Sequence, residues 1–175
     1  MMPPHPGKPT PVASGAVGPS PMIRGAEPAD ASRIAALSGV LGYPVPPEAL
    51  LGRLERVLAR PEDMVLVAEE PATGVIGWIH GAEQELLESG RRCEIMGLVV
   101  DPRCRGQGTG RRLIDALEQW AADRGLEQMS VRSNVSRAES HPFYERLGYS
   151  RAKTQHVYCK QLPKGPDPER WGAHG

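Results

Sequence analysis

Between Val99 and Leu113 the chain reads VVDPRCRGQGTGRRL, which sets glycines, arginines and a proline stop in an order suited to anion chemistry. Gly106, Gly108 and Gly110 alternate with Gln107 and Thr109, and Arg103, Arg105, Arg111 and Arg112 flank them. Glycine lets the backbone come close to a ligand, and the free N–H groups and dipole of a helix start favour negative charge. The ligand that fits this chemistry is a phosphate or pyrophosphate. The spacing is neither the GxxxxGK[ST] of a nucleotide P-loop nor the GxGxxG of a dinucleotide fold. It is Arg-x-x-Gly-x-Gly on Arg105, Gly108 and Gly110. A glycine-rich connection that binds nothing has no need of arginines around its glycines.

The elements on either side must position this loop. Ile95, Leu98, Val99 and Val100 form a short apolar run, read as a buried strand from Cys93 to Val100. It stops at Asp101-Pro102, because proline has no N–H to donate and biases the preceding residue away from helix. After the loop, Leu113, Ile114, Leu117 and Ala121 share one helical face, and Arg124-Gly125 ends the helix. Upstream, Ile23–Gly25 reads as an edge strand. A helix opens near Asp30 and carries Ile34, Leu37 and Leu41, and a second carries Leu50, Leu51, Leu54, Val57 and Leu58. Strands follow at Met64–Glu69 and Gly74–Gly81, then an acidic irregular stretch. Downstream come a strand at Glu127–Arg132, a helix at Arg137–Leu147, and short strands at Tyr149–Lys153 and His156–Gln161. The order β-α-α-β-β-β-α-β-α-β-β predicts an α/β chain built on a mixed sheet.

Composition narrows the function. The 175 residues suffice for one domain with a real core. Lys plus Arg and Asp plus Glu number 21 each, which argues against nucleic acid or an anionic membrane as main partner. No stretch nears the ~18 apolar residues of a membrane helix. The charge is uneven: residues 101–112 hold four arginines against one aspartate, while Glu83, Glu85 and Glu88 cluster elsewhere. A basic pocket for an anionic cofactor and an acidic patch for a cationic substrate have this look, although a solvated acidic loop reads the glutamates equally well. Cys93, Cys104 and Cys159 are odd in number and lack paired spacing, against both a disulfide framework and a zinc site. They read as reduced thiols of a cytoplasmic protein, and no metal is expected. Residues 1–21 carry seven of the 18 prolines and no apolar core, so they read as a disordered leader rather than a signal peptide. Residues 163–175 read as a flexible tail, leaving 22–162 as the folded domain.

With strand, Asp-Pro and Arg-x-x-Gly-x-Gly in register, the chain resembles the GNAT superfamily of acetyl-CoA-dependent N-acetyltransferases. Ser130 to Tyr149 (SVRSNVSRAESHPFYERLGY) adds to the resemblance: Ser133-Asn134 matches a polar strand end, and Phe143-Tyr144-Glu145 with Leu147-Gly148-Tyr149 matches a helix and its exit. The resemblance covers about residues 22–162 and implies the GNAT acyltransferase fold with acetyl-CoA as cosubstrate. It places the pyrophosphate on Arg105, Gly106, Gln107, Gly108, Thr109, Gly110 and Arg111. The pantetheine arm falls beside Asn134 and pairs with the backbone of Leu98, Val99 and Val100 like an added strand.

Acetyl transfer to an amine must hold acetyl-CoA, take a proton from the ammonium and stabilise the leaving thiolate. At an ordinary pKa of ~10, exposing the amine lone pair at pH 7 costs roughly 4 kcal/mol, which a positioned base lowers. The resemblance makes Glu94 the base candidate and Tyr144 the acid that protonates the thiolate. The N–H of Val99 or Leu98 is left to polarise the thioester carbonyl. Glu94 also reads as a solvent-facing glutamate beside Arg91 and Arg92, and Tyr144 as a core aromatic beside Phe143. His80 and His141 tempt as bases, because histidine as a residue type changes charge near neutral pH, but they read better as satisfied histidines. Tyr43, Trp78, His80 and Glu83 are the candidates for the acceptor pocket; Trp120 reads as helix packing. The expected acceptor is a primary amine of a small molecule, with an aminoglycoside or polyamine suited to the acidic patch. Protein N-terminal or lysine acetylation, and a non-catalytic acetyl-CoA sensor, are the alternatives. The closing strand offers an edge through which a homodimer could form.

Overall fold

The computed structural model describes residues 20–40, 42–133 and 140–162. Most of the expected leader, Leu41, Asn134 and the expected tail lie outside those residues. The chain divides into two compact units, Met1–Val135 and Ser136–Gly175.

In the first unit, β1 (Met22–Gly25) is followed by a 3-10 turn at Pro28–Asp30, α1 (Ala31–Val40), α2 (Pro47–Leu58) and β2 (Asp63–Glu70). Then come β3 (Gly74–Leu86), β4 (Gly90–Val100), a 3-10 turn at Pro102–Cys104, α3 (Thr109–Asp123) and β5 (Met129–Val131). The strands form one sheet in sequence order. Neighbours from β1 to β4 are antiparallel, and β5 lies parallel to β4. A parallel neighbour needs a long crossover, which α3 supplies.

Strand alternation sorts the two faces. Val65, Val67, Trp78 and Val99 pack with Ile34 and Leu37 of α1 and with Leu50, Leu54 and Val57 of α2. On the opposite face, a Cβ at Gly77 would touch Leu113 of α3, and one at Gly81 would lie 2.5 Å from Leu117. Glycine at these positions lets α3 seat against the sheet. Leu113, Ile114 and Leu117 are fully buried there, each worth ~1.5–3 kcal/mol of apolar burial.

Residues 82–92 are not irregular. The β3–β4 ladder continues through Ala82↔Glu94, Glu83↔Cys93, Gln84↔Arg92 and Glu85↔Arg91 to Leu86↔Gly90. Opposite charges directly across a hairpin stabilise it as apolar pairs do, so this strand extension carries no hydrophobic signal. At the far end, β5 covers only Met129–Val131 of the expected Glu127–Arg132.

The second unit holds α4 (Ser140–Arg146), the described part of the helix expected from Arg137. Gly148, at φ 91, closes it, with Tyr149 N–H donating to the Tyr144 carbonyl at 3.1 Å. The two strands expected at Tyr149–Lys153 and His156–Gln161 are not formed. Residues 151–162 are exposed and carry neither helix nor strand. β-Propensity expresses fit to a paired, half-buried surface, and Val157 and Tyr158, 81% and 90% exposed, are in no such place.

Candidate active site

The anion loop has the backbone its sequence demands. Gly106 and Gly108 take φ 77 and 81, and a Cβ at either would meet nothing within 4 Å. The left-handed conformation requires glycine at both positions, and the space above them is open. Gly108 is the N-cap of α3 with no side-chain cap, and the first ladder bond runs from Arg112 N–H to Gly108 O at 3.0 Å. The N–H groups of Thr109, Gly110 and Arg111 therefore have no acceptor within the helix. A peptide succession entering and leaving the left-handed region points N–H groups into one anion-binding concavity. The Thr109 hydroxyl is buried beside it with no hydrogen-bond partner among the described residues. Arg105 and Arg111 are exposed at its rim, as is Gln107.

Not every arginine of the loop serves it. Arg103 binds the buried Asp101 through Nε at 3.0 Å and Nη2 at 2.8 Å, and Arg33 of α1 reaches the same carboxylate at 2.7 Å. Hydrogen bonds from Arg103, first of all, hold the Asp101 carboxyl well below the usual carboxylate range. Asp101 thus fixes the end of β4 to α1 and sets where the loop begins. Burial pushes the Cys104 thiol up, so this cysteine is no ready nucleophile.

β4 bends as it approaches the loop. His80 pairs with Gly97 and Gly81 with Ile95, leaving Met96 as an extra, bulged residue. β5 pairs only with Cys93–Ile95. Beyond the bulge, no strand of the first unit's described residues pairs with β4 on that side. Asp101 N–H donates across to Ile76 O on β3 at 2.8 Å. Backbone groups alternate along an antiparallel strand, so Val99 also faces β3, while Leu98 and Val100 turn their N–H and C=O groups to the unpaired edge, where Arg105 Nε donates to the Val100 carbonyl at 3.4 Å. Of the three backbones expected to line the cofactor, Leu98 and Val100 face the unpaired edge and Val99 is committed to the sheet. The expected carbonyl donor narrows accordingly to Leu98.

Glu94 does not face solvent. It is 6% exposed and lies across from Ala82 and Ser130, on the α1/α2 face, where β4 and β5 part. Arg132 Nε sits 2.9 Å from one carboxylate oxygen, and Arg92 Nη2 3.8 Å from the other. Ser130 Oγ and Arg92 Nε are buried nearby with no hydrogen-bond partner among the described residues. As the structure stands, the carboxylate clamps the last rung of the β4–β5 ladder.

Trp78 and His80 share that face. The Trp78 ring lies over Gly97, where an added Cβ would fall 2.8 Å from Cη2, and its Nε1 is buried with no partner among the described residues. His80 Nε2 is 2.8 Å from Asp63 Oδ1. Asp63, 3% exposed, also has Oδ2 2.8 Å from Arg60 Nε, without the angle of a hydrogen bond. No local pattern in the sequence marks Asp63 or Arg132, because their partners are distant in the chain. Tyr43 is 66% exposed in the α1–α2 connection.

Glu83 is not brought to this group. It is on the α3 face, opposite Cys93, with Arg91 Nε at 2.7 Å and Arg124 Nε at 3.1 Å. Those guanidiniums, Arg91 foremost, hold its carboxyl below the ordinary range. The glutamate expected to receive a cationic substrate instead joins β3, β4 and the end of α3. Trp120 is a packing residue as expected, with the Arg124 guanidinium 5.1 Å from its ring centre. In the second unit, Tyr144 is half-buried and meets Phe143 and Tyr149 edge to face at 5.2 and 5.7 Å.

The sequence model of the acetyltransferase (GNAT) family matches residues 34–149. Aminoglycoside N(6')-acetyltransferase type 1 of Stenotrophomonas maltophilia is 27% identical over 151 residues, covering 84% of this chain and 96% of that protein. Glucosamine 6-phosphate N-acetyltransferase 1 of Oryza sativa subsp. japonica is 32% identical over 155 residues, covering 82% and 89%. Among solved structures, AAC(6')-Iy in complex with the bisubstrate analog CoA-S-monomethyl-acetylneamine superposes with a TM-score of 0.72 at 20% identity, covering 81% of this chain and 98% of that one.

Proposed function

This chain belongs to the acetyltransferase (GNAT) family, and we propose that it moves the acetyl group of acetyl-CoA to a primary amine of a small molecule, with amino sugars as the leading class. Acetyl-CoA-dependent N-acetyl transfer is the reaction of the family. The observation that carries the site assignment is the open edge of β4 leading directly into the uncapped start of α3. Pantetheine carries amides and pairs as a short strand with Leu98 and Val100. The pyrophosphate then sits on the N–H groups of Gly106 to Arg111, with Arg105 and Arg111 at its rim.

In this reading the amine nitrogen attacks the thioester carbonyl carbon and a tetrahedral oxyanion forms. Leu98 N–H donates to it, a contact worth a few kcal/mol where water is excluded. The C–S bond breaks, and Tyr144 protonates the thiolate; this role, like that of Asn134 on the pantetheine, rests on the family resemblance. Glu94 anchors Arg132 and so keeps the β4–β5 split in place. The amino-sugar class is supported by the relatives named for an aminoglycoside and for glucosamine 6-phosphate. Glu83, paired with Arg91 and Arg124, is withdrawn from the acidic patch that would favour a polyamine.

The test is acetyl-CoA-dependent turnover over amino sugars, aminoglycosides, polyamines, amino acids and peptides with free N-termini, read by mass. A sugar amine acetylated in preference to the rest is the expected result. Silence across the panel with tight acetyl-CoA binding would move the reading to a protein substrate or a sensor.

A further inference from the structure

The resemblance left the base with Glu94, and the structure has both of that carboxylate's oxygens facing guanidiniums of Arg132 and Arg92. Another proton acceptor stands on the same face. His80 pairs directly with Gly97, the first residue past the bulge where β4 opens. Its ring is partly open, with 23% of the side chain exposed, while the Asp63 carboxylate behind it is only 3% exposed. An ionised carboxylate can only accept, so the Asp63 Oδ1 contact at 2.8 Å puts a proton on Nε2, and in the neutral ring the lone pair is then on Nδ1. A buried acid that fixes the tautomer of a half-open imidazole is an arrangement that poises a base. The edge of the Trp78 indole over Gly97 forms a wall beside it.

We infer that His80 is the general base that deprotonates the acceptor ammonium, with Asp63 as its positioning residue. This rests on the amine-acetylation reading above. The ammonium gives one proton to His80 Nδ1, directly or through one water, and becomes the nucleophile. Its nitrogen bonds to the thioester carbon, the C–S electron pair leaves on sulfur, and the second N–H proton ends on the thiol. His80 returns its proton to solvent, so each turnover releases one proton. Asp63, the first residue of β2, is the charged group that contacts the imidazole; Arg60 of the α2–β2 connection lies behind it on the Asp63 carboxylate, and on the same sheet face stand Glu94 and Arg92 of β4 with Arg132 past the end of β5.

The experiment compares the full chain with His80→Gln and Asp63→Asn on the best acceptor of the panel, from pH 6 to 10. His80→Gln is expected to lower kcat about 100-fold at neutral pH, with acetyl-CoA affinity unchanged. The deficit should shrink as rising pH supplies free amine, a recovery that a merely structural defect would not show. Asp63→Asn should fall between the two. Imidazole nitrogen NMR gives a reading independent of turnover: Nε2 protonated in the parent chain, a tautomer mixture in Asp63→Asn. A His80→Gln chain within threefold of the parent at every pH, or a parent His80 protonated on Nδ1, overturns the base role alone. A parent chain that acetylates no amine overturns the proposed function and the base role with it.

Discussion

Replacing Gly108 by glutamate separates the anion site from the fold. Gly108 lies at φ 81 with no atom within 4 Å of an added Cβ. The first carbon of a side chain there meets nothing, and the left-handed conformation costs about 1–2 kcal/mol. Binding should suffer far more. The new carboxylate enters the concavity at the uncapped start of α3, where the pyrophosphate is proposed to sit. Two unit charges about 5 Å apart repel by roughly 3 kcal/mol at an effective dielectric of ~20, and the pyrophosphate carries more than one. Acetyl-CoA affinity should therefore drop by about 100-fold or more, since each 1.4 kcal/mol is tenfold. Gly108→Ala carries the same backbone strain without the charge and should lose little affinity. Calorimetric titration with acetyl-CoA, beside thermal unfolding of both variants, reads the two effects apart. A Gly108→Glu chain that melts like Gly108→Ala and binds acetyl-CoA like the parent would refute the placement of the phosphates.

Three other perturbations test the surrounding structure. Glu94→Gln weakens the clamp on Arg132 and should lower the melting temperature by a few degrees, with turnover falling less than about tenfold; a loss of 100-fold at unchanged stability would return the base role to Glu94. Gly97→Ala drives a methyl to within 2.9 Å of the Trp78 ring, and should cost about 1–3 kcal/mol of stability by overpacking while raising KM for the acceptor more than for acetyl-CoA. Burial pushes the Cys93 thiol up to about 11, against an unfolded value near ~8.5–9. The unfolded chain then sheds that proton first, so stability falls by about 2–3 kcal/mol as pH rises from 9 to 11; denaturant melts at the two pH values should show the loss, and Cys93→Ala should abolish its slope.

The sequence was most legible where backbone chemistry is local. Proline after Asp101 and glycine at 106 and 108 announce a strand stop and a helix start within ten residues, and the structure has both. The amphipathic faces of α2 and α3 were equally plain, because Leu50, Leu54 and Val57, or Leu113 and Leu117, recur at helical spacing. The β3–β4 extension is hard to read because Glu83, Glu85, Arg91 and Arg92 look like a solvated loop until the register sets Glu85 across from Arg91 and brings Glu83 diagonally onto Arg91. Glu83 is obscured for the same reason: a charge run reveals its sign but not the arginines that pair with it. His80 was visible as a residue, but Asp63, 17 positions away, becomes its partner only through the β2–β3 register. The strands expected after Tyr149 drew on β-propensity and resemblance, and propensity alone does not make a ladder.

The most direct test of the cofactor site is amide hydrogen exchange at single-residue resolution, with and without CoA. Leu98 and Val100 should gain protection with the N–H groups of Gly106 to Arg111, while Val99, already turned to β3, should not change. Protection that appears on Val99, or that leaves Leu98, Val100 and the loop untouched while CoA is bound, would contradict the account.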